Sequence, residues 1–127
     1  MLLWGRGVST HPLSNVEVEQ LRDIRSRLNR VPKGQLGDKS VLPLSRGFFD
    51  VCARVGLPIG PEVLPISAEL VAKADLTILG RVVSWFHALR EADPKAYRKL
   101  FDEGLPQAIA TRRLVLGGRE RSSEEVP

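Results

Sequence analysis

The sequence predicts an all-α protein, a single compact bundle of five or six helices around a central apolar helix at residues 75–91. Two observations lead to this prediction. Apolar residues recur at steps of three and four in several segments, which is the period of an α-helix, whereas the alternation typical of a strand is not sustained anywhere in the 127 residues. A chain of this length folds as one domain with a sizeable core.

The predicted helical domain spans residues 14–117. Residues 1–13 hold two glycines and a proline, and we expect them to form an irregular arm in which Leu3 or Trp4 packs against the domain. Residues 118–127 are polar, so we predict that they form a disordered tail.

The first helix begins after Ser14 and ends before Pro32. Ser14 and Glu17 have the spacing of a capping box, in which each side chain accepts a hydrogen bond from the other residue's backbone amide. The segment then carries a narrow apolar seam, formed by Leu21, Ile24, Leu28 and Val31. Such a seam predicts an amphipathic helix with one face on the core.

The second helix is predicted over residues 44–55. Residues 32–43 before it form a loop, because glycine and proline interrupt any helical pattern there. We expect Ser45 to cap the helix and Gly56 to end it. Its apolar face consists of Phe48, Val51, Cys52 and Val55.

Residues 57–66 contain three prolines, which exclude a regular helix. We expect Val63 and Leu64 in this stretch to enter the core. Ser67 then caps a short third helix.

Asp75 caps the central helix, which is the most apolar segment of the chain. Its residues at helical spacing form a broad apolar stripe, Leu76, Ile78, Leu79, Val82, Val83, Phe86 and Leu89. A helix with such a stripe is largely covered by other parts of the chain, so we expect residues 44–55 to pack across it.

The last two helices have clear starting points. Asp93 followed by proline at the first helical position begins one, and Gly104 ends it. A final helix begins at Pro106 and runs through Leu116, with Ala108, Ile109 and Arg112 or Arg113 distributed on opposite faces.

The net charge of +4 and the pI near 9.7 are compatible with an acidic partner, whether a nucleic acid, an anionic membrane surface or an acidic protein face. The candidate binding residues lie in two basic clusters, the first made of Arg22, Arg25, Arg30 and Lys33 and the second of Arg112 and Arg113, with Arg119 and Arg121 beyond. Matching of charge to the helix macrodipole explains the first cluster without any ligand.

Cys52 is the only cysteine, so no intrachain disulfide forms. We therefore expect a reducing compartment, the cytoplasm or nucleus. The apolar run near the N-terminus is too short for a signal peptide, and no stretch has the roughly 18 apolar residues of a membrane span. Membrane insertion is accordingly not expected.

No motif predicts catalysis, a metal or a cofactor. His87 and Glu91 share a helical face, but a zinc site needs a third protein ligand. We expect His87 to be a partly buried structural residue and Cys52 to be a small core residue. Glycine-rich phosphate-binding loops are missing from the sequence. The sequence therefore favours a protein that is not an enzyme.

Residues 45–89 resemble the C-terminal half of a calponin-homology domain of the calponin and transgelin type. The resemblance lies in a series of short motifs, Phe48-Phe49, Gly56-Leu57, Val63-Leu64, Glu69-Leu70, and Val82 with Ala88-Leu89. Residues 27–34 are similar to the turn after the family's second main helix. The resemblance implies a divergent or truncated member that acts as a cytoskeletal or scaffold interaction module.

The function predicted from the sequence is a non-catalytic protein–protein interaction module that docks a basic helical face onto an acidic partner. One alternative is a small basic helical protein that binds nucleic acid through the arginine clusters. Another is a subunit that completes its core in a homo-oligomer.

Overall fold

The computed structural model describes residues 12–31 and 42–120. These residues form six α-helices and no strand: α1 (Asn15–Asn29), α2 (Leu42–Arg54), α3 (Ala68–Lys73), α4 (Leu76–Ala92), α5 (Pro94–Asp102) and α6 (Leu105–Leu116). The all-α prediction is confirmed. Within the described ranges, no helix has both the length and the apolar character needed to cross a membrane.

Four helices begin where their capping residues predict. The capping box is present at α1, where the Ser14 hydroxyl accepts from the Glu17 amide at 3.1 Å and the Glu17 carboxylate accepts from the Ser14 amide at 2.8 Å. The side chains of Ser67, Asp75 and Asp93 each accept from a backbone amide three residues later. These contacts are encoded within one helical turn, which is why the sequence predicts them.

The start of α2 differs from the prediction. The helix begins at Leu42, so Ser45 lies inside it rather than at its cap. The Ser45 side chain is buried, and its hydroxyl is 2.6 Å from the hydroxyl of Tyr97 on α5. The prediction that Ser45 caps the helix is wrong because a buried partner far along the chain binds its hydroxyl.

α2 and α6 end in the same way, with a left-handed glycine after the last turn. Gly56 has φ of 88° and Gly118 has φ of 73°. The next amide after each glycine returns to the helix, from Leu57 to the Cys52 carbonyl at 2.8 Å and from Arg119 to the Leu114 carbonyl at 2.9 Å. This is the Schellman arrangement, which satisfies carbonyls that the helix end leaves free.

α4 carries the centre of the core, as predicted. Its residues Leu79, Val82, Val83 and Phe86 have no exposed surface. The Phe86 ring contacts four other aromatic rings, with centroid distances of 4.8–6.5 Å, from Phe48, Phe49, Tyr97 and Phe101. Two of these rings belong to α2, so that helix packs across α4 as expected.

α6 shares the central place with α4. It contacts α1, α3, α4 and α5, and most of its residues are buried. Ala108 is exposed whereas Ile109 is fully buried.

The proline-containing segment 57–66 contacts the first half of α4. Leu57 is fully buried, but Val63 is 46% exposed and Leu64 is half-buried. The prediction that Val63 enters the core is wrong. The segment is held to α4 through backbone amides, including that of Gly60, which donates to the Ser84 hydroxyl at 2.8 Å.

Three predictions concern residues partly or wholly outside the described ranges. Residues 1–11, with Leu3 and Trp4, lie outside them, whereas Leu13 is buried. The loop residues 32–41 and residues 121–127 also lie outside. Arg119 and Glu120, which the sequence assigns to the disordered tail, make hydrogen bonds with Leu13 and with two arginines of α1.

Candidate functional site: a groove between α1, α3 and α6

The described residues form a groove of about 660 Å³ between α1, α3 and α6. Its volume falls within the range of roughly 300–1,000 Å³ that is typical of ligand sites. The residues that line this α1/α3/α6 groove are Arg25, Asn29, Ile66, Ser67, Val71, Ala72, Leu100, Glu103, Gly104, Leu105, Gln107, Ala108, Thr111, Arg112 and Val115.

The walls of the α1/α3/α6 groove are mostly apolar. Val71 from α3 and Leu105 from α6 are buried, and the lining includes further branched side chains. Ala72 and Ala108 line the groove and are exposed. These two alanines, one from α3 and one from α6, mark where the groove opens to solvent, and their small side chains leave room for apolar groups of a partner.

One edge of the groove carries a guanidinium that binds a carboxylate with both terminal nitrogens. Arg25 donates to the two carboxylate oxygens of Glu120, at 2.8 Å from Nη1 and 2.7 Å from Nη2. Nη1 also donates to the Thr111 hydroxyl at 2.9 Å. The hydrogen bonds from Arg25 lower the pKa of the Glu120 carboxyl, and the same contact raises the pKa of Arg25. Paired bonds of this kind are strong and geometrically specific.

Gln107 supplies a second polar feature of the groove. Its Nε2 atom donates to the Asn29 side-chain oxygen at 3.0 Å. Its Oε1 atom is buried and accepts no hydrogen bond from any described residue. Because a buried acceptor without a partner costs about 1–3 kcal/mol, a donor that reached this oxygen would be favoured.

The first predicted basic cluster is only partly assembled by the fold. Arg22 and Arg25 both contact Glu120, with Arg22 Nε at 3.3 Å from the carboxylate. Arg30 is exposed and makes no ion pair with another described residue. Lys33 lies outside the described residues. Arg25 is therefore the member of this cluster that lines the groove.

The second predicted cluster serves the fold. Arg112 donates from Nε to the Ala74 carbonyl at the end of α3, at 2.8 Å, and Arg113 donates from Nε to the Val55 carbonyl at the end of α2, at 2.6 Å. Arg113 is only 4% exposed, and its burial lowers its pKa. The prediction that Arg113 belongs to an accessible basic face is thus corrected, because its guanidinium is directed to the interior.

Arg119 is likewise engaged within the protein. Its Nη2 atom donates to the Leu13 carbonyl at 3.0 Å and to the Asn15 side chain at 3.1 Å. Arg121 lies outside the described residues. Arginine side chains therefore connect α6 and the residues after it to α1 and to the ends of α2 and α3.

His87 and Cys52, the histidine and the cysteine among the described residues, both pack in the fold. His87 is half-buried and packs edge-on against Phe49, with ring centroids 4.9 Å apart. Cys52 is 1% exposed, and burial raises the pKa of its thiol far above the ordinary value, so it is not an activated nucleophile. Among the described residues, no group of three potential ligands could hold a metal ion.

The sequence predicts Arg25 and Arg112 as binding residues, but it does not predict the apolar lining between them. The lining comes from segments far apart in the chain, and its exposed members are mainly alanines. The alanine at position 108 gives no sign in the sequence that it borders a groove.

Comparisons with protein-family models, curated proteins and solved structures find no match. The resemblance to calponin-homology domains stays a prediction.

Proposed function

We propose that this protein is a non-catalytic protein–protein interaction module that binds an acidic amphipathic segment of its partner in the α1/α3/α6 groove. The observation that carries this proposal is the combination of apolar walls with the Arg25 guanidinium at one edge. Apolar side chains of the partner would fill the groove while a carboxylate would meet the arginine. A helix with apolar residues on one face is the usual ligand of such a groove.

The proposed mechanism divides the work between two kinds of residue. Burial of apolar surface against Val71, Leu105 and their neighbours supplies most of the affinity. The positive charge of the protein speeds the encounter with an acidic partner and fixes its orientation.

The test uses an additional carboxylate to block the groove. Ala108→Glu places a charged side chain at its exposed rim, and Ala53→Glu is the matched control, since Ala53 is an exposed residue of α2 that does not line the groove. Binding of a set of acidic amphipathic helical peptides is measured by calorimetry and NMR. We expect Ala108→Glu to weaken binding at least tenfold and Ala53→Glu to leave it unchanged.

Several outcomes would contradict the proposal. Equal weakening by both variants would show that the groove is not the binding site. Binding of DNA or RNA in preference to every peptide, with affinity falling steeply as salt is added, would favour a nucleic-acid-binding protein instead. A stable homo-oligomer in light scattering that Ala108→Glu dissociates and Ala53→Glu preserves would assign the groove to a second copy of the chain.

The calponin-homology resemblance gives a finer version of the proposal, a scaffold module of the cytoskeleton acting in the cytoplasm. Co-sedimentation with filamentous actin tests this version directly. Pelleting that Ala108→Glu abolishes and Ala53→Glu preserves would support it. A protein that stays in the supernatant at all actin concentrations would remove actin as the partner.

A further inference from the structure

We infer that Glu120 occupies the position of the partner's carboxylate, and that the partner binds by displacing Glu120 from Arg25. This inference rests on the proposed function and specifies the partner further. The partner must present one Asp or Glu carboxylate beside its apolar residues. The distance between the two must let the carboxylate reach the Arg25 guanidinium while the apolar residues lie in the groove.

The contact between Glu120 and Arg25 has the geometry of a carboxylate-binding site. Both oxygens of Glu120 are bound, at 2.8 and 2.7 Å, and the paired side chains are each 23% exposed. Arg22 adds a longer contact at 3.3 Å from a half-exposed position. An external carboxylate can therefore approach from solvent and form the same two bonds.

The guanidinium is positioned independently of Glu120. The Thr111 hydroxyl accepts from Arg25 Nη1 at 2.9 Å, and this bond lies between α1 and α6. Arg25 therefore keeps one contact that orients it when the carboxylate leaves. A binding group that is already oriented loses less entropy when a ligand arrives.

Glu120 can leave without disturbing α6. The helix ends before it, at Leu116, and the Schellman contact of Arg119 closes the helix. Arg119 is itself anchored to Leu13 and Asn15. Displacement of Glu120 therefore breaks contacts of one side chain, and the partner's carboxylate restores the bonds to Arg25.

Intramolecular competition has a measurable consequence. If the partner binds only after Glu120 has left, its apparent affinity is the intrinsic affinity multiplied by the fraction of molecules in which Arg25 is free of Glu120. Because exposed or partly exposed ion pairs are weak, removal of the Glu120 charge should tighten binding by only about two- to fivefold.

The test uses full-length protein and designed probes. One probe is an acetylated, amidated amphipathic helical peptide of about four turns with leucine on one face and glutamate flanking it, and the other has glutamine in place of glutamate. We expect Glu120→Gln to bind the glutamate peptide about two- to fivefold more tightly than wild type, with no change for the glutamine peptide. Arg22→Gln, which loosens Glu120 but does not line the groove, should act in the same direction.

NMR identifies the site of the exchange. The side-chain Nε–Hε resonance of Arg25 should shift with the glutamate peptide, and the backbone resonances of α6 should keep their helical positions. Arg25→Gln, which removes both the charge and the paired donors, should bind the two peptides equally. Circular dichroism checks that each variant is folded.

The outcomes separate this inference from the proposed function. Binding of the glutamate peptide with the same affinity by wild type and Glu120→Gln, or more weakly by the variant, overturns the inference and leaves the groove as a binding site. If neither peptide binds any variant while all remain folded, both the inference and the proposed function fail.

Discussion

Arg113 is a buried charged side chain that bonds a backbone carbonyl at the end of another helix. The chain passes Val55 at the end of α2, where the helix has no amide left to bond this carbonyl. The Arg113 Nε atom donates to it at 2.6 Å. From sequence alone, Arg113 and the exposed arginines are indistinguishable, since each is a basic residue in a helical pattern.

We predict that Arg113→Met lowers the free energy of unfolding by about 2 kcal/mol. The methionine fills part of the same space, but the buried Val55 carbonyl loses its donor, which costs about 1–3 kcal/mol. The measurement is urea denaturation followed by circular dichroism. Arg98→Met is the matched control, because Arg98 is exposed on α5, and we expect it to change stability by less than about 0.5 kcal/mol. Equal losses in the two variants would show that the carbonyl contact does not matter.

At the scale of helices, residues within one turn determine where a helix ends, whereas residues far apart in the chain determine how helices pack. Gly56 ends α2 and Gly118 follows the end of α6, each in the left-handed conformation that non-glycine residues disfavour. The sequence predicts Gly56 as a terminator because such a glycine acts within its own turn. The sequence does not predict the start of α2 at Leu42. Serine is a common capping residue, and nothing near Ser45 in the sequence indicates that Tyr97 binds its hydroxyl.

Two glycine substitutions should have opposite effects on stability. We expect Gly56→Ala to destabilise the protein by about 1–2 kcal/mol, because φ of 88° strains an L-residue. Gly80→Ala should stabilise it by about 0.5–1 kcal/mol, because Gly80 lies inside α4 and a Cβ there meets no atom within 4 Å. Thermal unfolding of the two variants and wild type measures the direction of each change in stability. A stabilising Gly56→Ala would show that the left-handed turn relaxes.

At the scale of the whole molecule, the start and end of the described chain are joined through α1 and the residues after α6. Glu120 binds Arg22 and Arg25, while Arg119 binds the Leu13 carbonyl. These contacts close the bundle between its first and last helices. The ion pairs are partly exposed, so their contribution is modest and depends on pH and salt.

The Glu120 ion pair predicts a loss of stability in acid. Hydrogen bonds from Arg25 lower the pKa of Glu120 in the folded protein below its ordinary value of 4.5. The unfolded chain therefore binds this proton more readily, so the pair stabilises the fold above about pH 4.5, and the effect disappears as the pH falls through the lower folded-state pKa. The free energy of unfolding of wild type should exceed that of Glu120→Gln by about 1 kcal/mol at pH 7. In strong acid the two free energies should be equal. Urea denaturation across this pH range makes the comparison, and a constant difference would contradict the assignment.

The sequence by itself determined the all-α class, the order of the helices and most of their ends. Periodicity, capping residues and terminating glycines act over one or two turns, so they can be interpreted without knowing where the chain goes next. The apolar stripe of α4 is of this kind, and Leu79, Val82 and Phe86 are buried as the stripe predicts.

Only the tertiary structure decided which polar residues belong to the fold and which are open to a partner. Ser45 meets Tyr97 across 52 positions, and Arg25 meets Glu120 across 95. The α1/α3/α6 groove likewise combines side chains from separate segments. Hydrogen bonds between distant residues depend on how the helices cross, and the local pattern of the sequence contains no information about those crossings.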